Sequence, residues 1–206
     1  MTVNGYKKIL ITGGKGYLGK HLSTYLSTDY NIIQHKGDVR DTAINVPADI
    51  DMLIHFACPN DYNDKKDEHR LVTTAINGTL NMIELSNRLN CKFIYSSTKA
   101  VCFEKDTTDY YANCKLAMEN YISVTHGNYL NLRIPRVYDK SKTKGLMRQL
   151  RENIVPESDY DKVIDHITID EFLKQTKHAI EFLGNTTYTY NNIIKKTIRE
   201  IKGLYV

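Results

Sequence analysis

A chain of 206 residues with 41% hydrophobic and 25% charged residues can bury one core, and it fits a single domain with a small appendage. The formal net charge of +4 comes without a dense Lys/Arg block, which argues against a nucleic-acid partner. No apolar run approaches the ~20 residues that cross a bilayer, and Met1 to Lys8 lack an apolar signal core, so a cytoplasmic protein with no membrane partner is expected. Cys58, Cys91, Cys102 and Cys114 show no Cys-x-x-Cys spacing and the histidines no His-x-x-x-His pair, so reduced thiols and no metal are expected.

Lys8–Thr12 reads as a first strand that turns through Gly13, Gly16 and Gly19 into a helix over Tyr17–Ser27, with Leu18, Leu22, Tyr25 and Leu26 on one face. A strand that turns through glycines into a helix N-terminus makes an anion site, because free N–H groups and the positive helix end point at a bound phosphate. Gly13 permits the turn, Gly16 lets backbone approach a dinucleotide's pyrophosphate, and Gly19 lets the helix pack closely. Asn31–His35 is a second strand, followed at once by Gly37-Asp38-Val39-Arg40-Asp41. Met52–Ala57 is a buried strand ending at Cys58-Pro59, and Asn60–Asp67 a polar loop. Val72, Ala75, Ile76, Thr79, Leu80 and Ile83 recur at helical spacing. Lys92–Ser96 is a strand, and Ala112–Thr125 a helix with Leu116, Ala117, Tyr121 and Val124 on one face. Tyr129–Ile134 is a strand stopped by Pro135. Beyond Tyr138 the pattern predicts helices over Gly145–Asn153 and Thr168–Leu183, a strand over Thr186–Tyr190 and a helix over Ile193–Ile201. Alternating strands and helices predict an α/β fold with a parallel sheet covered on both faces.

Taken together these segments resemble the extended short-chain dehydrogenase/reductase family, the NAD(P)-dependent epimerases, dehydratases and reductases of nucleotide sugars. Thr12–Gly19 is similar to its T-G-x-x-G-x-[IL]-G fingerprint, Gly37–Asp41 to the G-D-[IV]-R-D segment whose Asp and following residue contact the adenine, and Ile54-His55-Phe56-Ala57 to I-H-L-A. Ile94–Thr98 is similar to the strand ending in S-S-[ST], Tyr111–Lys115 to Y-x-x-x-K, Leu132–Tyr138 to L-R-x-x-N-V-Y-G-P, and Thr187–Asn191 to the late Y-N strand. The resemblance implies a Rossmann-like, doubly wound sheet over residues 1–206, in which 139–206 contribute a reduced substrate-binding appendage. It implies NAD(P) contacts at Gly13, Lys15, Gly16, Tyr17, Leu18, Gly19, Lys36, Asp38, Val39, Phe56, Ala57, Ser96, Lys115, Pro135 and Arg136. It also implies a homodimer paired through Thr73–Leu89 and Ala112–Thr125, and a nucleotide-sugar substrate in surface-polysaccharide synthesis.

Tyr-x-x-x-Lys begins at Tyr62, Tyr95, Tyr111 and Tyr138, but only Tyr111 follows the Ser/Thr strand end and opens a helix that puts both side chains on one face. The other three read as surface pairs. An unperturbed tyrosine, pKa about 10, is a poor base at neutral pH, and a nearby ammonium favours its phenolate. Tyr111 is therefore the expected acid/base, Lys115 the group that tunes it and holds the ribose, and Thr98 the hydroxyl that orients the reacting oxygen, with Ser97 in reserve. Lys99 and Ala100, in place of an Asp-Glu pair, argue against a dehydratase. Asp38 lies at the distance of a ribose-binding acid that favours NAD, whereas Lys15 and Lys36 suit a 2′-phosphate; NADP is the expectation, with NAD as the alternative. The acid-free basic run from Lys140 to Arg151 suits either a phosphate or solvent. A 4-ketoreductase or epimerase is the reading; a non-catalytic NAD(P)-binding sensor or scaffold is the alternative.

Overall fold

The computed structural model describes residues 7–59, 68–102 and 109–206, so the loop expected over Asn60–Asp67, with the Tyr62 motif, lies outside the described residues. From the N-terminus the elements are β1 (Lys8–Thr12), α1 (Tyr17–Leu26), β2 (Asn31–Gln34), β3 (Met52–His55), α2 (Glu68–Thr73), α3 (Thr79–Arg88), β4 (Lys92–Thr98) and α4 (Tyr110–Thr125). They continue with β5 (Tyr129–Ile134), β6 (Arg136–Tyr138), α5 (Leu146–Arg151), β7 (Val163–Thr168), α6 (Ile169–Phe182), β8 (Thr186–Thr189), β9 (Ile194–Thr197) and α7 (Ile198–Tyr205). A π-helical turn over Thr74–Gly78 joins α2 to α3.

Six strands form a wholly parallel sheet in the order β2-β1-β3-β4-β5-β8. Its inner strands β1 and β3 are buried on both sides because both faces are covered. Ile9, Ile11, Ile54, Ile94 and Leu132 pack under Leu22 and Leu26 of α1 and Phe172 and Ile180 of α6. Leu10, Leu53, Phe93 and Tyr95 pack under Met82 and Leu85 of α3 and Met118 and Ile122 of α4. The fold is the expected Rossmann-like, doubly wound one. The chain leaves β1 towards β2 and resumes on the other side with β3, so the order reverses between β1 and β3. A crevice opens at the carboxyl ends of strands at such a switch point. No strand lies between Gln34 and Met52, so β2 is the sheet edge.

Several local expectations need correction. On α4 the buried residues are Lys115, Met118, Glu119 and Ile122, while Tyr121 and Val124 are 44% and 81% exposed. Two polar side chains with internal partners occupy the inward face, which hid it from an apolar count. The helix expected over Ile193–Ile201 is instead β9 followed by α7. Thr197 and Glu200 form a reciprocal capping box that starts the helix four residues later than Ile194, which itself pairs with His166. Neither β6 nor β7 was expected. They and β9 form a second sheet, β6-β7-β9, over a small core of Tyr138, Met147, Leu150, Ile198 and Ile201. Among the described residues no helix is long and apolar enough to cross a membrane and no His/Cys/Asp/Glu group could hold a metal. All four cysteines are free thiols.

Candidate functional site

At the switch point β1 runs into the glycine turn. Gly13 has φ +68°, and a Cβ there would lie 2.7 Å from the Ala57 nitrogen. A Cβ on Gly19 would lie 2.4 Å from the Gly13 carbonyl oxygen, so this glycine is required by the turn itself rather than by helix–sheet packing. Gly16 N donates to Gly13 O at 2.9 Å, and Gly16 then caps α1 with no side chain bonded to the first turn. The amides of Tyr17, Leu18 and Gly19 therefore head the helix with no capping acceptor among the described residues, beside backbone that carries no Cβ. Such a cradle fits the pyrophosphate of a dinucleotide. Lys15 is exposed on the turn, Tyr17 and Leu18 half-buried behind it.

The crevice floor is a buried hydrogen-bonded row. Thr12 Oγ1 lies 2.7 Å from His55 Nδ1, His55 Nε2 lies 3.1 Å from Thr79 Oγ1, and Ala57 N donates to Thr12 Oγ1 at 3.3 Å. Burial, with the Lys115 charge adding to it, pushes the His55 pKa down to about 3, so the ring is neutral. This row fixes the ends of β1 and β3 against α3 and so places Phe56 and Ala57, both half-buried. His55 had been legible only as a member of a strand motif; a histidine ending an apolar run was the signal for its role.

At the end of β4, Ser96 Oγ donates to His55 O at 2.7 Å, and Lys115 Nζ donates to Ser96 O at 2.7 Å. Lys115 is only 1% exposed, and its ammonium lies 4.7 Å from the Tyr95 ring centroid and 5.5 Å from that of Tyr111. Burial holds the Lys115 pKa below the usual lysine range, opposed by Cys58, Cys114 and Glu119. Asp109 starts α4 by accepting from Ala112 N at 3.0 Å, which sets Tyr111 in the first turn and Lys115 one turn on. Thr98 ends β4, and its Oγ1 accepts from Ala100 N at 3.2 Å, leaving the hydroxyl proton for another acceptor. Ser97, the reserve hydroxyl, has an Oγ that is buried with no hydrogen-bond partner among the described residues. Residues 103–108 of the short Thr98–Tyr111 connection lie outside the described residues.

At the other end of the crevice the structure changes the view of Asp38. Its carboxylate accepts from Arg40 N at 2.9 Å and from the Arg40 guanidinium, which together push its pKa down to about 2. Asp38 is thus an occupied acceptor. Lys36 is exposed and Val39 buried; Pro135 is buried and Arg136 exposed at the start of β6. In the basic run, Arg151 bonds the carbonyls of Lys140 and Lys142, and Arg148 lies 3.6 Å from Glu152 just past the run, so neither faces only solvent.

Two of the three Tyr-x-x-x-Lys pairs expected at the surface are not there. Tyr95 and Tyr138 are both buried. Lys142 lies 5.0 Å from the Tyr138 ring and 5.1 Å from the Tyr17 ring, and donates to Val137 O at 2.7 Å. Lys99 pairs with Asp165 of β7 at 3.0 Å.

A doubly wound sheet with an uncapped glycine cradle at its switch point defines the dinucleotide-binding α/β class. Within it, the sequence model of the NAD dependent epimerase/dehydratase family matches residues 9–157, and the chain belongs to that family. Among curated proteins it is similar to UDP-glucuronic acid decarboxylase 4 of Arabidopsis thaliana, 24% identical over 116 residues. That match covers 46% of this chain and only 26% of the plant protein, so the chain spans about a quarter of that relative. Among solved structures it resembles a UDP-glucose 4-epimerase of Thermotoga maritima with UDP-glucose (TM-score 0.77, 20% identity, 95% of this chain and 80% of that one). It also resembles Bordetella bronchiseptica WbmG with NAD (TM-score 0.77, 16% identity, 98% and 78%).

Proposed function

We propose that this chain is an NADP-dependent enzyme, with NAD as the alternative, that acts on a nucleotide sugar as a 4-ketoreductase or epimerase. The observation that carries the reading is the Lys115 ammonium, buried against the Ser96 carbonyl at a strand end and beside the Tyr111 ring. At the carboxyl end of a central parallel strand, a desolvated ammonium can act on a neighbouring phenol and on a bound ribose. Gly13, Gly16 and Gly19 form the cradle for the pyrophosphate, and Phe56, Ala57 and Ser96 line the way to the nicotinamide end, with Pro135 and Arg136 opposite. The bound nicotinamide supplies or accepts the hydride. Tyr111 gives or takes the proton at the sugar oxygen, Lys115 lowers the cost of its phenolate, and the Thr98 hydroxyl donates to the same oxygen. NADP is favoured because Asp38 is occupied by Arg40, while Lys15 and Lys36 remain exposed cations. Residues 139–206 would supply the substrate-binding portion, and the exposed Tyr121 and Val124 on α4 would cover one another in a homodimer.

The test is a screen of keto-sugar nucleotides with NADPH and NADH, followed at the nicotinamide absorbance. Turnover with NADPH at lower concentration than NADH supports the reading; an NADH preference reverses the cofactor choice. Dinucleotide binding with no turnover of any keto-sugar, yet with altered association with a partner protein, favours the sensor. Light scattering that shows a monomer at micromolar concentration removes the dimer.

A further inference from the structure

The segment between β2 and β3 contains no helix or strand, yet it carries Asp38 and Val39. Apolar side chains anchor it: Val39 is 3% and Ile50 4% exposed, and both pack into the core beneath α3. Side-chain burial alone leaves the backbone of such a segment free to rotate, and its carbonyls need partners. Asn81 of α3 supplies them. Its Nδ2 donates to Val39 O at 3.0 Å and to Asp41 O at 3.3 Å, across 42 and 40 residues of chain. One turn earlier, Gly78 lets the helix close onto the same residue, because a Cβ there would lie 2.7 Å from Val39 Cγ2. Asp41 N in turn donates to Asp38 O at 3.1 Å, so the turn is closed from inside as well as from α3.

We propose that Asn81 is a positioning residue for the adenine end of the dinucleotide site, holding the Asp38–Asp41 turn in its binding conformation while touching no part of the ligand itself. The inference rests on the dinucleotide reading above and is independent of the substrate. An amide is the side chain that suits the role: it presents two N–H groups to two carbonyls, whereas the isosteric carboxylate presents only oxygens to them.

Asn81→Asp and Asn81→Ala should therefore weaken ADP-ribose and NADPH about tenfold in calorimetry, the upper range expected for a half-buried group that bonds two carbonyls. Reduced nicotinamide mononucleotide, which lacks the adenosine half, should bind as in the parent. Asn77→Asp, exposed on the preceding turn, serves as the charge control and should bind all three ligands like the parent. If both Asn81 variants keep full ADP-ribose affinity, or lose the mononucleotide equally, the positioning role is wrong. A parent protein that binds no dinucleotide would instead overturn the cofactor reading and this inference with it.

Discussion

Two regions of the molecule carry the same spacing and much the same local chemistry. In the crevice, Tyr111 and Lys115 place an ammonium 5.5 Å from a tyrosine ring, with the nitrogen donating to a carbonyl of β4. In the appendage, Tyr138 and Lys142 place one 5.0 Å from a ring, with the nitrogen donating to a carbonyl of β6. Burial depresses both lysines. The difference lies in what surrounds them. Lys115 stands at the carboxyl end of a central parallel strand, with the neutral His55 row beneath it and Thr98 two residues along the strand. Lys142 stands between the second sheet and Tyr17, with the Asp139 carboxylate near. On the proposed reading, then, position on the sheet, rather than spacing or cation–π geometry, separates the catalytic pair from its counterpart in the appendage.

That contrast breaks most easily at the hydroxyls. General acid/base groups contribute about 10²–10⁴-fold, so Tyr111→Phe should lower the turnover rate by that factor while dinucleotide affinity stays unchanged. Tyr138→Phe should leave the rate at the parental value. Equal rate losses in the two variants, measured with any substrate found in the screen, would show that position on the sheet does not separate the pairs.

The lysines give the next effect. Lys115→Met keeps the bulk and removes the charge, so the variant should stay folded. It should lose dinucleotide affinity about 10- to 100-fold, as expected for a hydrogen bond to a charged group, and lose rate as well. Lys142→Met should alter neither by more than about threefold, roughly half a kcal/mol, since its partners are Val137 O and the Tyr17 and Tyr138 rings rather than the Ser96 strand end. Calorimetry with NADPH on both variants checks this. A Lys142→Met loss as large as that of Lys115→Met would place the appendage lysine in the binding site.

The two regions also differ in how far the sequence announces them. β1, β3 and β4 are continuous runs such as Ile9-Leu10-Ile11 and Met52-Leu53-Ile54, because a parallel sheet covered on both faces demands apolar residues at every position. The glycine turn is legible for a related reason: its geometry lies in the backbone and leaves only one residue type possible at Gly13 and Gly19. The second sheet announces nothing of the kind. β7 reads Val-Ile-Asp-His-Ile-Thr and β9 Ile-Lys-Lys-Thr, short strands with polar residues between apolar ones, and β6 has three residues. Their pairing depends on partners far away in sequence. In the crevice, too, what was missed was contact rather than element: Arg40 on Asp38, Thr12 and Thr79 on His55, Asn81 on Val39. Each joins residues whose types permit many partners, and only the fold selects one.

The smallest effect is one of pH, and it isolates the appendage lysine. Burial pushes the Lys142 pKa down from its ordinary 10.5 to about 8, with Asp139 opposing and Arg136 adding to the shift. Between those values the unfolded chain binds a proton that the folded chain does not. Folding therefore becomes more favourable as pH rises through this window, by at most about 1.4 kcal/mol per unit. Lys115 acts in the same direction and remains in the variant. Tyr17 and Tyr138, whose rings flank Lys142, are both pushed upward, so their opposing contributions begin only near pH 10, where an exposed tyrosine starts to ionise. Urea midpoints measured from pH 8 to 9.5 without dinucleotide should thus rise more steeply for the parent than for Lys142→Met. The variant should also be the more stable of the two below pH 8, where the parent carries the cost of a buried charge. Parallel curves would mean that water or a carboxylate compensates Lys142 fully in the free protein. The ammonium over Tyr17 and Tyr138 would then be no more desolvated than a surface lysine, and the likeness between the two pairs would end at their spacing.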